Sequence, residues 1–167
     1  MKKLFFLLIL ILIVFSSLTI VSAMECQKFS INLPHRFAET EGWGSNEEHV
    51  NEIYAGTGIP KKGEVHRWLQ IEEAGHSAEY ADYDYNPLFE SEYLLENYTK
   101  DDLFVGKISA PNFDKGVIHE NFTYAHFDKN GYHYEMIITY NGNINNLKLS
   151  DDVELVKEVK NSLKHKA

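Results

Sequence analysis

The sequence predicts an α+β domain: an antiparallel β-sheet packed with helices and ending in a C-terminal helix. Three observations carry this. Residues between Ile118 and Tyr140 alternate with period two, as in strands with one buried face. Asp128-Lys129-Asn130-Gly131 interrupts that alternation with turn-forming residues. Near the end, Leu155, Val156, Val159 and Leu163 form an apolar stripe at helical spacing.

The N-terminus reads as an export signal. Lys2 and Lys3 precede an unbroken apolar run from Leu4 to Phe15, and the stretch closes on Val21-Ser22-Ala23. Positive charge, apolar core and small residues at −3 and −1 are what a signal peptidase reads, which places a cut before Met24. The alternative is an uncleaved anchor over residues 4–23, about the length of a minimal membrane span, with its lysines in the cytoplasm. Residues 24–167 then form one globular domain, secreted or extracytoplasmic, of a normal size for a single core. Sixteen basic residues, two of them in the leader, face 25 acidic ones, so the exported part is more negative than the −9 of the whole chain. Such a surface repels phosphate and argues against a nucleic-acid partner. A membrane is met only through the N-terminal segment, and the expected partner is a protein or carbohydrate at the cell exterior.

The one cysteine, Cys26, can make no internal disulfide, so packing alone must hold the domain. Glu25 before it does not fit a lipobox, and Cys26 is expected in a loose mature N-terminus. Phe29-Ser30-Ile31-Asn32-Leu33 alternates and stops at Pro34, a strand. Residues 46–55 read either as a helix, opened by Ser45 and Glu48 at capping-box spacing and closed by Gly56, or as a short strand. Val65, Leu69 and Ile71 alternate with His66, Trp68 and Gln70, a better strand with Arg67 on its apolar face. Asn86-Pro87 predicts a helix start, with Phe89 and Tyr93, then Leu94 and Tyr98, at i, i+4. Leu103 to Ile108 reads as another strand.

In the last third, Tyr132, Tyr134, Met136, Ile138 and Tyr140 point one way in a strand, against His133, Glu135 and Thr139. Ile118, Phe122 and Tyr124 share a face of the strand before it. Matching these two apolar faces predicts a three-residue loop, Lys129 to Gly131, with Asp128 opposite Tyr132 and Tyr124 opposite Met136. Asp151 and Asp152 should open the final helix, and Lys164, His165 and Lys166 should close it at the negative end of its dipole.

Phe29-Ser30-Ile31-Asn32-Leu33-Pro34 after a signal, a run of antiparallel strands, and the closing Val159-Lys160-Asn161-Ser162-Leu163 together resemble small exported PsbP-like domains. That resemblance implies an α/β/α sandwich used as a binding or accessory module. It carries over no functional residue.

Candidate chemistry is sparse. There is no HExxH, no His pair at i, i+4, no GxSxG, and Gly56-Thr57-Gly58 lacks the lysine of a phosphate loop. No cofactor, metal or catalytic residue is therefore assigned. His126 and His133 flank the hairpin turn near Asp128 and Glu135, but the three-residue loop puts the two histidines on opposite faces. Tyr80-Ala81-Asp82-Tyr83-Asp84-Tyr85 interleaves tyrosines with acids. Tyr80, Asp82, Tyr83, Asp84 and Tyr85 could offer a flat aromatic surface to a cationic partner. An edge strand kept soluble by charge, its rings partly packed, is the plainer expectation. Asn97-Tyr98-Thr99 and Asn121-Phe122-Thr123 are glycosylation sequons, at Asn97 and Asn121. The reading is a binding or accessory module; the alternative is an enzyme or metal binder whose residues converge only in the fold.

Overall fold

The computed structural model describes residues 21–34, 37–39, 50–57, 65–81, 93–112, 118–141 and 147–166. The apolar segment up to residue 20, Ser45, Glu48, Asn86, Pro87 and Phe89 lie outside them. The elements are β1 (Val21–Glu25), β2 (Phe29–Pro34), β3 (Phe37–Glu39), β4 (Glu52–Thr57), β5 (His66–His76), α1 (Ser77–Tyr80), β6 (Leu94–Lys100), β7 (Leu103–Asn112), β8 (Ile118–Lys129), β9 (Tyr132–Asn141), α2 (Leu149–Ser162) and β10 (Lys164–His165). Seven strands form an antiparallel sheet in the order β3-β4-β5-β9-β8-β7-β6, and three form a small antiparallel sheet, β1-β2-β10.

The core lies between the large sheet on one side and α2 with the small sheet on the other. In β2, Phe29, Ile31 and Leu33 are buried by turns, as the period-two alternation requires. They meet Leu69 and Ile71 of β5 and Tyr134, Met136 and Ile138 of β9 in one apolar cluster. Leu155, Val156, Val159 and Leu163 are all buried there too, so the helical stripe read from the sequence is the packed one. The domain is more sheet-dominated than a sandwich with helices over both faces.

Several expectations are corrected. Of the two readings left open for residues 46–55, the strand is the one found, as β4, because β5 beside it supplies backbone partners, with Ile53 opposite Ile71. Leu94 and Tyr98 lie in strand β6, paired with β7 through a tight turn where Asp101 is left-handed at φ 56°. A spacing of four satisfies both periods, two and 3.6, and β7 decides between them. Lys164 and His165 do not close the final helix. Leu163 turns extended, and the two residues join β2 as β10. Cys26 is no part of a loose terminus, since its thiol is buried beside the Phe29 carbonyl.

The hairpin register is the most consequential correction. The loop has two residues, Asn130 at φ 55° and Gly131 at φ 85°. Lys129 pairs with Tyr132, Ala125 with Met136, and Tyr124 with Ile137. Positive φ at both loop positions gives a turn whose twist matches the strands, and Asn-Gly is the dipeptide that best tolerates it. The core face of β8 is therefore Thr123, Ala125 and Phe127, all fully buried, while Tyr124 is buried on the other side of the sheet. Matching apolar faces failed because both faces of β8 are covered in part.

Strand β1 runs across the expected cleavage point. Val21, Ser22 and Ala23 pair with Pro34, Leu33 and Asn32, and only Met24 and Glu25 would remain of the strand after a cut before Met24. A soluble chain starting at Met24 is expected to be less stable than one starting at Val21 by about 1–3 kcal/mol, the worth of a few edge-strand hydrogen bonds. Equal urea midpoints for the two would show that β1 contributes nothing beyond Met24.

Candidate functional site

Two buried polar clusters are occupied in holding layers together. Arg67 stands on the core face of β5, 7 % exposed, with its Nη2 3.8 Å from Asp152 Oδ1 of α2. Asp152 Oδ2 accepts from Thr123 (2.8 Å) and Tyr140 (2.5 Å), and burial followed by the Asp152 charge pushes the Tyr140 hydroxyl far up. At the other end, Glu73 Oε1 takes Lys28 Nζ at 3.1 Å and Oε2 takes His165 Nδ1 at 2.9 Å, with Tyr132 stacked on His165. This second cluster pins the small sheet and the C-terminal strand to β5 and β9. Both arrangements are turned inward.

The opposite face of the large sheet is open at Trp68 and Ile137 of β5 and β9, while Ile108, Tyr124 and His133 on it are buried. Cross-strand pairing sets its side chains in rows. Trp68 stands opposite Thr139, and Thr139 opposite Phe122. The next row holds Tyr54, Gln70, Ile137 and Tyr124. The third holds Glu52, Glu72, Glu135, His126 and Phe104. Trp68 is 38 % and Ile137 36 % exposed, although both sit mid-sheet. His66 packs on Trp68 with ring centroids 3.9 Å apart, which restricts the indole.

Three carboxylates directly opposite one another oppose folding, by a few tenths to about 1 kcal/mol for each like-charged pair. Burial first, then Glu52 and Glu135, hold the Glu72 carboxyl above its usual range. The Tyr54 hydroxyl donates to Glu52 Oε2 at 2.5 Å, and burial with this carboxylate pushes the phenol up to about 12. Among the described residues, no lysine or arginine is ion-paired with Glu52, Glu72 or Glu135.

Beside this row the two hairpin histidines meet. The two-residue loop puts His126, Asp128, His133 and Glu135 on one face, correcting the expectation that the histidines are separated. His133 Nδ1 lies 2.8 Å from Asp128 Oδ1, and the two imidazole centroids are 5.5 Å apart. Tyr80 of α1 stacks flat on His133, at 4.6 Å and 7°, and its hydroxyl donates to the Ala74 carbonyl. Tyr80 therefore lies in a helical turn and not in an edge strand; Asp82, Tyr83, Asp84 and Tyr85 lie outside the described residues. Among the described residues no three His, Cys, Asp or Glu side chains are grouped to hold one metal ion. Asn97 is exposed on β6, and Asn121 is half-buried on β8 opposite Ser109.

Burial, and next the His133 charge, push His126 down from 6.5 to about 4, against the pull of Asp128. On acidification the unfolded chain takes this proton first. Stability from His126 is thus intact above about pH 6.5 and is lost as pH falls toward about 4. His126→Gln is expected to flatten the pH dependence of the urea midpoint across that window; an unchanged slope would mean His126 titrates normally.

Trp68, Ile137, Glu52 and Glu72 were not singled out in the sequence as site residues. One signal was present: Trp68 is a large aromatic in the polar phase of an alternating strand. The glutamate row had none, since it depends on pairing between distant strands.

No family model and no curated protein matches this chain. Among solved structures, one crystal structure from Bacteroides thetaiotaomicron VPI-5482 is similar at 12 % identity and a TM-score of 0.45, over 86 % of this chain and 50 % of that one. The chain thus spans about half the length of that neighbour. Among the described residues no helix is long and apolar enough to cross a membrane.

Proposed function

We propose that this chain is an exported or cell-surface binding module, an accessory protein without chemistry of its own, and that the open face of its large sheet is the binding surface. The observation that carries this is the exposure of Trp68 and Ile137 mid-sheet, on the side away from the core. A solvated strand face ordinarily carries polar side chains, and a restrained, partly exposed tryptophan is a characteristic anchor of a recognition surface. Export rests on the Lys2-to-Ala23 leader. The PsbP-like α/β/α sandwich belongs to the same proposal. It is supported by α2 on one side of the sheet and the single turn α1, through Tyr80 on His133, on the other.

A second reading, a metal binder or enzyme, is favoured by the meeting of His126, His133, Asp128 and Glu135 on one face. One experiment tests both. With Trp43→Phe as background, Trp68 emission is followed while the exported domain is titrated with a basic decapeptide, an acidic decapeptide, maltohexaose and zinc. The binding-module reading expects a saturable change with a peptide or the oligosaccharide, weakened by Ile137→Ser. A one-to-one zinc isotherm lost in His126→Gln, with no response to the others, would replace it by the second reading.

A further inference from the structure

We infer that the open face recognises a cationic peptide segment, whose lysine or arginine heads meet the Glu52–Glu72–Glu135 row while its apolar parts lie over Ile137 and Trp68. This rests on the reading above that the open face is the binding surface, and adds the chemistry of its occupant. The face is graded along the strands. Trp68, opposite the polar Thr139, forms its aromatic end, Gln70 and Ile137 its middle, and the three glutamates its charged end. From Trp68 to Glu72 is four residues along β5, about 13 Å at the rise of a strand. That is a distance a short extended segment spans.

The sign of the charge sets the class of occupant. The three carboxylates face each other across β4, β5 and β9 without a lysine or arginine partner among the described residues. Glu72 is half-buried between the other two, and burial first, then the two neighbouring carboxylates, raise its pKa. A neutral sugar would hydrogen-bond to such a row and leave the repulsion in place; an ammonium or guanidinium removes it. Lysine and arginine also bring methylene stems that lie along apolar surface while the head reaches outward. The Trp68 ring offers a further cation–π contact. A polyanion is repelled, both here and by the net charge of −9.

Decalysine is the probe, read by Trp68 emission in the Trp43→Phe background at low and at physiological salt. Saturable binding is expected, weakened at least tenfold by Glu72→Gln with Glu135→Gln, and weakened also by Ile137→Ser. The control is Glu154→Gln with Glu158→Gln, which removes the same charge from the exposed side of α2 and is expected to change the affinity less than twofold. If the helix pair weakens binding as much as the sheet pair, attraction is generic and the inference is overturned. If maltohexaose binds at Trp68 and decalysine does not, the face remains a binding surface and the cationic occupant is wrong. If neither changes the emission, the inference and the reading beneath it both fall. The two helix glutamates are exposed, and the two half-buried ones on the sheet become neutral and relieve repulsion, so folding is not at stake in the comparison.

Discussion

Asp152→Ala is expected to destabilise the domain by about 3–5 kcal/mol, the usual cost of leaving a buried charge without its partner. Asp152 is 1 % exposed and Arg67 7 %, so water cannot replace the lost carboxylate. Thr123 and Tyr140, whose hydroxyls also bond each other, would lose their shared acceptor in the same step. Asp152→Asn should cost less, because it keeps an acceptor for one hydroxyl while surrendering the charge opposite Arg67. Urea unfolding of the two variants, followed by far-ultraviolet circular dichroism, measures both. A loss below about 1 kcal/mol for Asp152→Ala would show that the ion pair does not hold α2 to the sheet.

Ile138→Ala is expected to cost about 2–5 kcal/mol, the range for emptying a packed site. Ile138 is fully buried mid-strand, between Leu69 of β5 and Thr123 of β8, beneath the apolar side of the small sheet and α2. Three residues earlier on the same strand, Glu135→Ala should be neutral or slightly stabilising, since it removes a like-charged neighbour of Glu72. The pair tests which face of β9 is the core. A costly Glu135→Ala beside a harmless Ile138→Ala would invert the faces and with them the whole open surface.

Much of the local structure was legible in the residues. Phe29, Ile31 and Leu33 announce a half-buried strand because strand side chains alternate, and Leu155, Val156 and Val159 announce a helix because helical ones recur every three or four positions. Both faces are buried as those periods require. The misassigned element and the one left open share one cause. Leu94 and Tyr98 fit either period, residues 52–57 fit either element, and in each case a neighbouring strand far away in sequence supplied the deciding hydrogen bonds. The hairpin loop failed for a related reason. Its register was argued from one apolar face, whereas turn twist favours Asn-Gly in a two-residue loop and the sheet covers part of both faces.

The candidate site was still less visible. His126 and His133 stand out in the sequence, but a one-residue shift in register moves them to opposite faces; Tyr80 stands out too, but its stacking on His133 needs α1. By itself the sequence determined which residues are apolar at which period, the acidic charge, and a thiol with no partner for an internal disulfide, since these depend only on composition and near neighbours. Only the tertiary structure decided that Glu52, Glu72 and Glu135 stand in one row beside an exposed Trp68. Cross-strand neighbours are set by backbone pairing of β5 with β4 and with β9, and no local rule relates a side chain of β5, which ends at His76, to the one it faces on β9, which starts at Tyr132.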